Sequence, residues 1–406
     1  MTEQVAGSSG GAQRGTPSEV FFAFLKLGLT SFGGPIAHLG YFREELVVRR
    51  RWLDDHAYAD LVALCQFLPG PASSQVGFAL GMMRAGWLGA LAAFLAFTLP
   101  SALILTAFAL VAPAIGGVSG DGALHGLKIV AVAIVAQAVW GMARNLCPDR
   151  ERATIAIAAV VLMAFAPGSV GMLAAIGLGA VAGLVPGGGG QAGPVAGHLA
   201  VPVSRWTAGG AMVIFVALLV VLPLLAGQAQ TFAVLDGFYR AGALVFGGGH
   251  VVLPLLDAEV VQSGWVTPDA FLAGYGAAQA VPGPLFTFAA YLGAVLGPEP
   301  HGILGAVLAL LALFLPGFLV LVGVLPFWDQ FRSKSVARSL MRGANAAVVG
   351  ILGAALYAPV FTGAISDLRD FALASAGFVA LVVWKAPPWV VVVLSGLGGV
   401  GLALLG

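Results

Sequence analysis

The sequence predicts an all-α, polytopic membrane protein: an inverted repeat of two homologous halves with re-entrant or half-length helical hairpins. Three observations predict it. First, 59% of the 406 residues are hydrophobic and 9% are charged. That charged share is about a third of a soluble domain's, and several apolar runs approach or exceed the roughly 20 residues that cross a bilayer. Second, the chain repeats itself. Phe32-Gly33-Gly34 returns as Phe246-Gly247-Gly248, Glu45 as Glu259, Trp52 as Trp265, and Gln66 with Pro69-Gly70-Pro71 as Gln279 with Pro282-Gly283-Pro284. The separation stays at about 214 residues, the signature of duplication. Third, the basic residues change sides. Arg43 and Arg49 to Arg51 have no Lys or Arg opposite them in 257–264, whereas Arg332, Lys334, Arg338 and Arg342 face only Lys128 in 113–128. Basic loops favour the cytoplasm, so the halves have opposite orientations.

Residues 1–17 are polar and Gly/Ser-rich and read as a disordered tail without a cleaved signal. Residues 18–185 form the first repeat. Within 18–48, the apolar piece 18–32 and a second that runs to about Phe42 meet at Ser31-Phe32-Gly33-Gly34-Pro35, and 55–68 and 72–84 meet at Pro69-Gly70-Pro71. Pieces of about 14 residues extend roughly 21 Å, short of a comfortable crossing. The 43–51 loop and the Arg84 turn both read as cytoplasmic, so each pair is expected to be a hairpin with its tip at membrane depth. Counting each half-piece as a thin crossing gives the same ends. Long runs follow at 87–112, 125–146, 153–167 and 168–185. Residues 186–228 hold a Gly/Pro loop and a linking transmembrane helix, and 229–406 repeat the pattern inverted. The expectation is nine full crossings and four half-length pairs, with the N-terminus inside and the C-terminus outside.

The tips are the candidate site. Pro-Gly-Pro stops one helix and starts another, leaving free N–H groups and a partial positive charge that suit an anion. The expected ligands are the backbone of 72–75 and 285–287, the hydroxyls of Ser31, Ser73, Ser74 and Thr287, and the amides of Gln66, Gln75 and Gln279. The glycine tips Gly33, Gly34, Gly247 and Gly248, and the corners Pro69, Gly70, Pro71, Pro282, Gly283 and Pro284, shape the pocket. Lys26 and Arg240 occupy equivalent places in apolar helices and are candidate counter-charges for a dianion, unless they snorkel to the interface. Glu45, Glu259, Asp257, His38 and His250 are candidates for proton coupling. The plainer alternatives are solvated helix-end carboxylates and structural histidines. Asn345 reads as helix glue and Cys65 as a small packing residue; Cys65 and Cys147 have no disulfide or metal spacing. No phosphate-binding lysine loop, nucleophile–base pair, metal motif or dinucleotide fingerprint is present, so no cofactor is expected, and the net charge of +1 gives no nucleic-acid footprint.

At these residues the chain resembles the chromate ion transporter family. The resemblance is carried by SFGGPIAHLGYF, ALCQFLPGPASSQVG and FTLPSA in the first half. ALVFGGGHVVLPLL, GYGAAQAVPGPLFTFAAYLGA and GANAAVVG carry it in the second. It implies a plasma-membrane carrier that exports chromate with the proton gradient and confers chromate resistance. Sulfate, equal in charge and shape, stays open as the oxyanion, as do a passive anion channel and a homodimer. A membrane enzyme or sensor lacks any supporting motif.

Overall fold

Helices form between the interruptions that the sequence marks. The computed structural model describes residues 15–114, 116–185, 202–246, 248–328 and 335–405. Most of the expected tail and of the 186–204 loop, and Gly247, lie outside the described residues. α1 (Pro17–Thr30) begins on Thr16, whose hydroxyl accepts the Glu19 N–H. α2 (Gly34–Phe42) returns from the first tip and loosens into a π-helical turn over Arg43–Arg49. α3 (Asp55–Phe67), capped by Asp54, runs to the Pro-Gly-Pro corner, and α4 (Ala72–Val111) leaves it. Within α4, Ala85 and Gly86 depart from helical angles, so 72–84 is a half-length piece and 87–111 a crossing, as the sequence divides them.

α5 (Gly117–Leu146), α6 (Arg150–Phe165), α7 (Ser169–Ala182) and the linking α8 (Arg205–Leu225) follow. The second half repeats the order: α9 (Gln230–Ala243), α10 (Val252–Leu256) with a π-turn over Asp257–Val261, α11 (Pro268–Ala278) and α12 (Phe288–Ala294). α13 (Gly302–Val324), α14 (Ser335–Ala355), α15 (Leu368–Val382) and α16 (Pro388–Leu405) complete it.

The hairpins have their feet together and their tips together. Arg84 Nη2 lies 3.1 Å from Glu19 Oε1, and Trp52 Nε1 donates to the same oxygen at 3.1 Å. The start of α1, the turn between hairpins and the end of 72–84 therefore share one end of the molecule. In the second half the Gly297 N–H donates to the Trp265 carbonyl at 2.8 Å, and Trp265 is the counterpart of Trp52. Each hairpin thus returns to the side it came from.

The crossings differ from the expected nine. Among the described residues, six helices are long and apolar enough to span a bilayer. α6, α7 and α15 have 16, 14 and 15 residues, fewer than the roughly 20 a crossing needs. The cause is local: Pro148, then Pro167-Gly168, stop the chain around α6, and Asp149 and Asp367 cap new starts.

The halves also exchange helices. α5 of the first half packs on α15 and α16 of the second, and α14, its counterpart, packs on α6 and α7. Small residues permit it. A Cβ at Gly126 would strike the Ser395 carbonyl, and one at Gly343 would strike the Gly179 carbonyl, so the two glycines hold equivalent places in the exchanged packing. Backbones approach this closely only where no side chain intervenes.

Candidate functional site

The four tips meet at one centre, and reciprocal hydrogen bonds hold them there. The Gly70 N–H donates to the Val245 carbonyl at 2.8 Å, and the Gly283 N–H donates to the Ser31 carbonyl at 2.9 Å. Val245 is the repeat counterpart of Ser31, so each Pro-Gly-Pro corner is tied to the glycine tip of the other half. Gly70 and Gly283 have φ of 115° and 104°, where only glycine sits without strain. Their missing Cβ atoms also matter. One at Gly70 would lie 2.8 Å from Gly317 Cα, and one at Gly283 2.8 Å from Ser101 Oγ. The corners therefore seat against α13 and α4 at the turns marked by Pro316 and Pro100. Across the centre, Pro35 faces Gly249, and Gly34 faces the His250 ring.

Four helix starts converge here: α2, residues 72–84, the 249–256 turn-and-helix, and the 285–294 segment ahead of and including α12. Each start is the positive end of its helix dipole. Four helix ends, those of α1, α3, α9 and α11, bring carbonyls of opposite sign to the same region. Ser31 Oγ, His38 Nε2, Ser74 Oγ, Thr98 Oγ1 and Gln279 Nε2, on the tips and the helices beside them, are buried atoms able to donate and without hydrogen-bond partners; Gln75 Oε1, Asp257 Oδ1 and Asn345 Oδ1 are unpartnered buried acceptors. Buried polar groups are normally satisfied, and unpartnered donors beside converging helix starts suit an anion.

Several expected ligands are otherwise engaged. The Gln75 backbone N–H donates to the Pro71 carbonyl at 2.9 Å, which leaves the N–H groups of 72–74 ahead of the first intrahelical bond. The Gln75 amide donates to the Pro69 and Gly317 carbonyls at 2.9 and 2.8 Å; it pins the corner to α13. Thr287 donates both its N–H and its hydroxyl to the Pro284 carbonyl, at 3.0 and 2.7 Å, because the 3-10 turn over Leu285–Thr287 brings that carbonyl within reach. Ser73 Oγ lies 3.4 Å from His38 Nδ1. His250 Nδ1 lies 2.8 Å from the Tyr275 hydroxyl. Gln66 is exposed beside its corner, whereas Gln279 is half-buried.

The charged candidates lie elsewhere. Lys26 Nζ is 2.7 Å from Glu45 Oε2, and Arg50 Nε is 2.9 Å from Glu45 Oε1. Arg240 Nη2 is 2.8 Å from Glu259 Oε2 and 2.9 Å from Asp236 Oδ2. Ser169 Oγ, from α7, donates to Glu259 at 2.9 Å. These equivalent ion pairs brace α1 to the end of the first hairpin and α9 to the end of the second, and the structure does not bring the cations to the tips. Asp257 is buried in the neighbouring π-turn. Sequence reasoning missed Asp236, Thr98 and Ser101. For Thr98 and Ser101 a signal exists: the prolines inside α4 and α13 are repeat counterparts, and Ser/Thr residues often compensate the backbone groups that such prolines free.

An all-helical inverted repeat with broken helices meeting at a polar centre is the architecture of a membrane transporter, not of an enzyme. Residues 18–184 and 232–400 match the family described as Chromate transporter. The chain belongs to the chromate transporter family. It is 31% identical over 400 residues to the chromate transport protein of Pseudomonas aeruginosa, covering 94% of this chain and 91% of the relative. It is 28% identical over 391 residues to a probable chromate transport protein of Synechococcus elongatus, covering 93% of each. A chromate transport protein of Cupriavidus metallidurans is 27% identical over 360 residues, covering 86% of this chain and 84% of the relative. No solved structure matches the chain.

Proposed function

We propose that this protein exports chromate from the cytoplasm across the inner membrane as a secondary active carrier, driven by the proton gradient, and thereby confers chromate resistance. The observation that carries the reading is the set of unpartnered buried donors beside four converging helix starts, which suit a tetrahedral anion. The substrate itself comes from the likeness to the named chromate transport proteins. The anion rests on the N–H groups of 72–74 and on Ser31, Ser74 and Gln279, with Thr98 and His38 completing the shell. Proton coupling falls to the repeat-matched carboxylates Glu45 and Glu259. The positive-inside bias puts the N-terminus in the cytoplasm and the C-terminus outside.

The test is transport in proteoliposomes, with sulfate as competitor, with and without a pH gradient. A hydrogen bond to a charged group is worth about 1.5–3 kcal/mol, so Ser31→Ala and Ser74→Ala should each weaken chromate affinity about tenfold or more. Uptake that ignores a protonophore would refute the coupling. Sulfate transported in preference to chromate would refute the substrate.

A further inference from the structure

The inverted repeat makes the two halves chemically similar, yet their hairpins stand in different surroundings. In the second half, α10 and residues 271–278 of α11 are buried throughout. α5 packs along α11 and α14 along α10. At the closest point a Cβ on Gly276 would strike the Leu127 carbonyl. Lys128 Nζ lies 2.9 Å from Asp269 Oδ1, adding an ion pair between α5 and α11. The same arrangement in the first half would set α14 along α3 and α5 along α2. Among the described residues neither pair shows comparable packing. Instead α3 presents an open stripe of Ala59, Ala63 and Gln66, spaced by about one helical turn, and α2 presents Gly40 and Tyr41.

Gln66 decides what lies over that stripe. It stands three residues before a tip at membrane depth, where a carboxamide in contact with lipid is strongly disfavoured. The stripe therefore borders water. Its mouth lies at the Arg43–Arg51 end of the hairpin, the cytoplasmic end by the charge bias.

We propose that the structure is the cytoplasm-facing state, with the α2–α3 face as the aqueous entry path, and that the outward-facing state is reached when α14 leaves α10 and seats on α3 while α5 leaves α11 and seats on α2. The inference rests on the carrier reading and specifies its moving surfaces. It also gives a register, set by the packing: Gly126 meets Ser395 and Gly399 as Gly343 meets Gly179 and Gly183, so Leu127 corresponds to Ala344, while the sequence repeat pairs Gly276 with Ala63. The contact of Leu127 with Gly276 becomes, in the other state, a contact of Ala344 with Ala63. Both are alanines, which lets two helices approach closely. In the present state Ala63 is exposed and Ala344 is buried.

The experiment uses the full chain in membrane vesicles, with Cys65 and Cys147 replaced by alanine. Gln66→Cys, Ala59→Cys and Gln279→Cys are labelled separately with a membrane-impermeant thiol reagent from either face. Gln66→Cys and Ala59→Cys should label from the cytoplasmic face at least about tenfold faster than Gln279→Cys labels from the opposite face. The double variant Ala63→Cys with Ala344→Cys should cross-link under an oxidant during turnover. Once linked, it should expose Gln279→Cys to the outside and protect Gln66→Cys. Equal labelling of the two glutamine positions would overturn the proposal. So would no labelling of Ala59→Cys from either face, as expected if a second copy covers α3, or absence of the cross-link in variants that still transport. The labelling asymmetry is read without chromate, so the two readings fail separately. If the asymmetry and cross-link appear but chromate protects neither glutamine position, the binding site is wrong and the moving surfaces stand.

Discussion

Replacing Gly70 by alanine tests the core of the structural reading. At φ 115° a residue with a Cβ carries backbone strain of about 1–3 kcal/mol. The added methyl would lie 2.8 Å from Gly317 Cα and 3.1 Å from Gln75 Nε2. The first neighbour is backbone and cannot rotate away. Relieving such an overlap costs about 1–3 kcal/mol more. The corner escapes by withdrawing from α13, which breaks the Gly70 N–H bond to Val245 and the Gln75 bond to Gly317. A penalty of about 3 kcal/mol corresponds to about a 100-fold loss of the assembled site. Gly209→Ala, on the linking α8 at a position with nothing within 4 Å, is the matched control. Initial rates of chromate uptake into proteoliposomes should fall by about two orders of magnitude for Gly70→Ala and stay unchanged for Gly209→Ala, with both proteins inserting normally. Wild-type transport by Gly70→Ala would show that the corner's contact with α13 and the opposing tip is not needed, and the converging-tip site would be abandoned.

Two further outcomes follow from the packing. Arg240→Gln should lower the thermal unfolding midpoint in detergent more than Lys26→Met. It strips the cation from Asp236 and Glu259, whose side chains are 10% and 12% exposed; leaving buried charge uncompensated costs about 3–5 kcal/mol, whereas Glu45 keeps Arg50 when Lys26 is lost. Gly343→Leu should disrupt the exchanged helix pair and give aggregated protein on size-exclusion chromatography, while Gly177→Ala, where nothing lies within 4 Å, should leave the elution profile unchanged.

Much of this architecture is written locally and was therefore legible. Pro69-Gly70-Pro71 and Pro282-Gly283-Pro284 break helices wherever they stand, because proline lacks an amide hydrogen and glycine accepts positive φ. Duplication and the switch of basic loops needed only counting. The site's ligands were less legible. Gln75 matched the motif as well as Ser74 does, yet its amide pins Gly317, 242 residues away. Thr287 turns back on Pro284 because a 3-10 turn forms there. Lys26 and Arg240 read as counter-charges until Glu45 and Glu259 arrived beside them, each 19 residues on in sequence and less than 3 Å away in space.

The sequence by itself determined the two inverted halves, their hairpins and the places where helices break, since each follows from the chemistry of adjacent residues. Only the tertiary structure decided that α5 and α14 change partners between halves and that both lie against the second pair of hairpins. Those choices rest on backbone approach at Gly126, Gly343 and Gly276, and on ion pairs such as Lys128 with Asp269. A glycine shows where two helices are able to come close, but its partner is fixed by the surface that fills the space, which the rest of the chain must fold to supply.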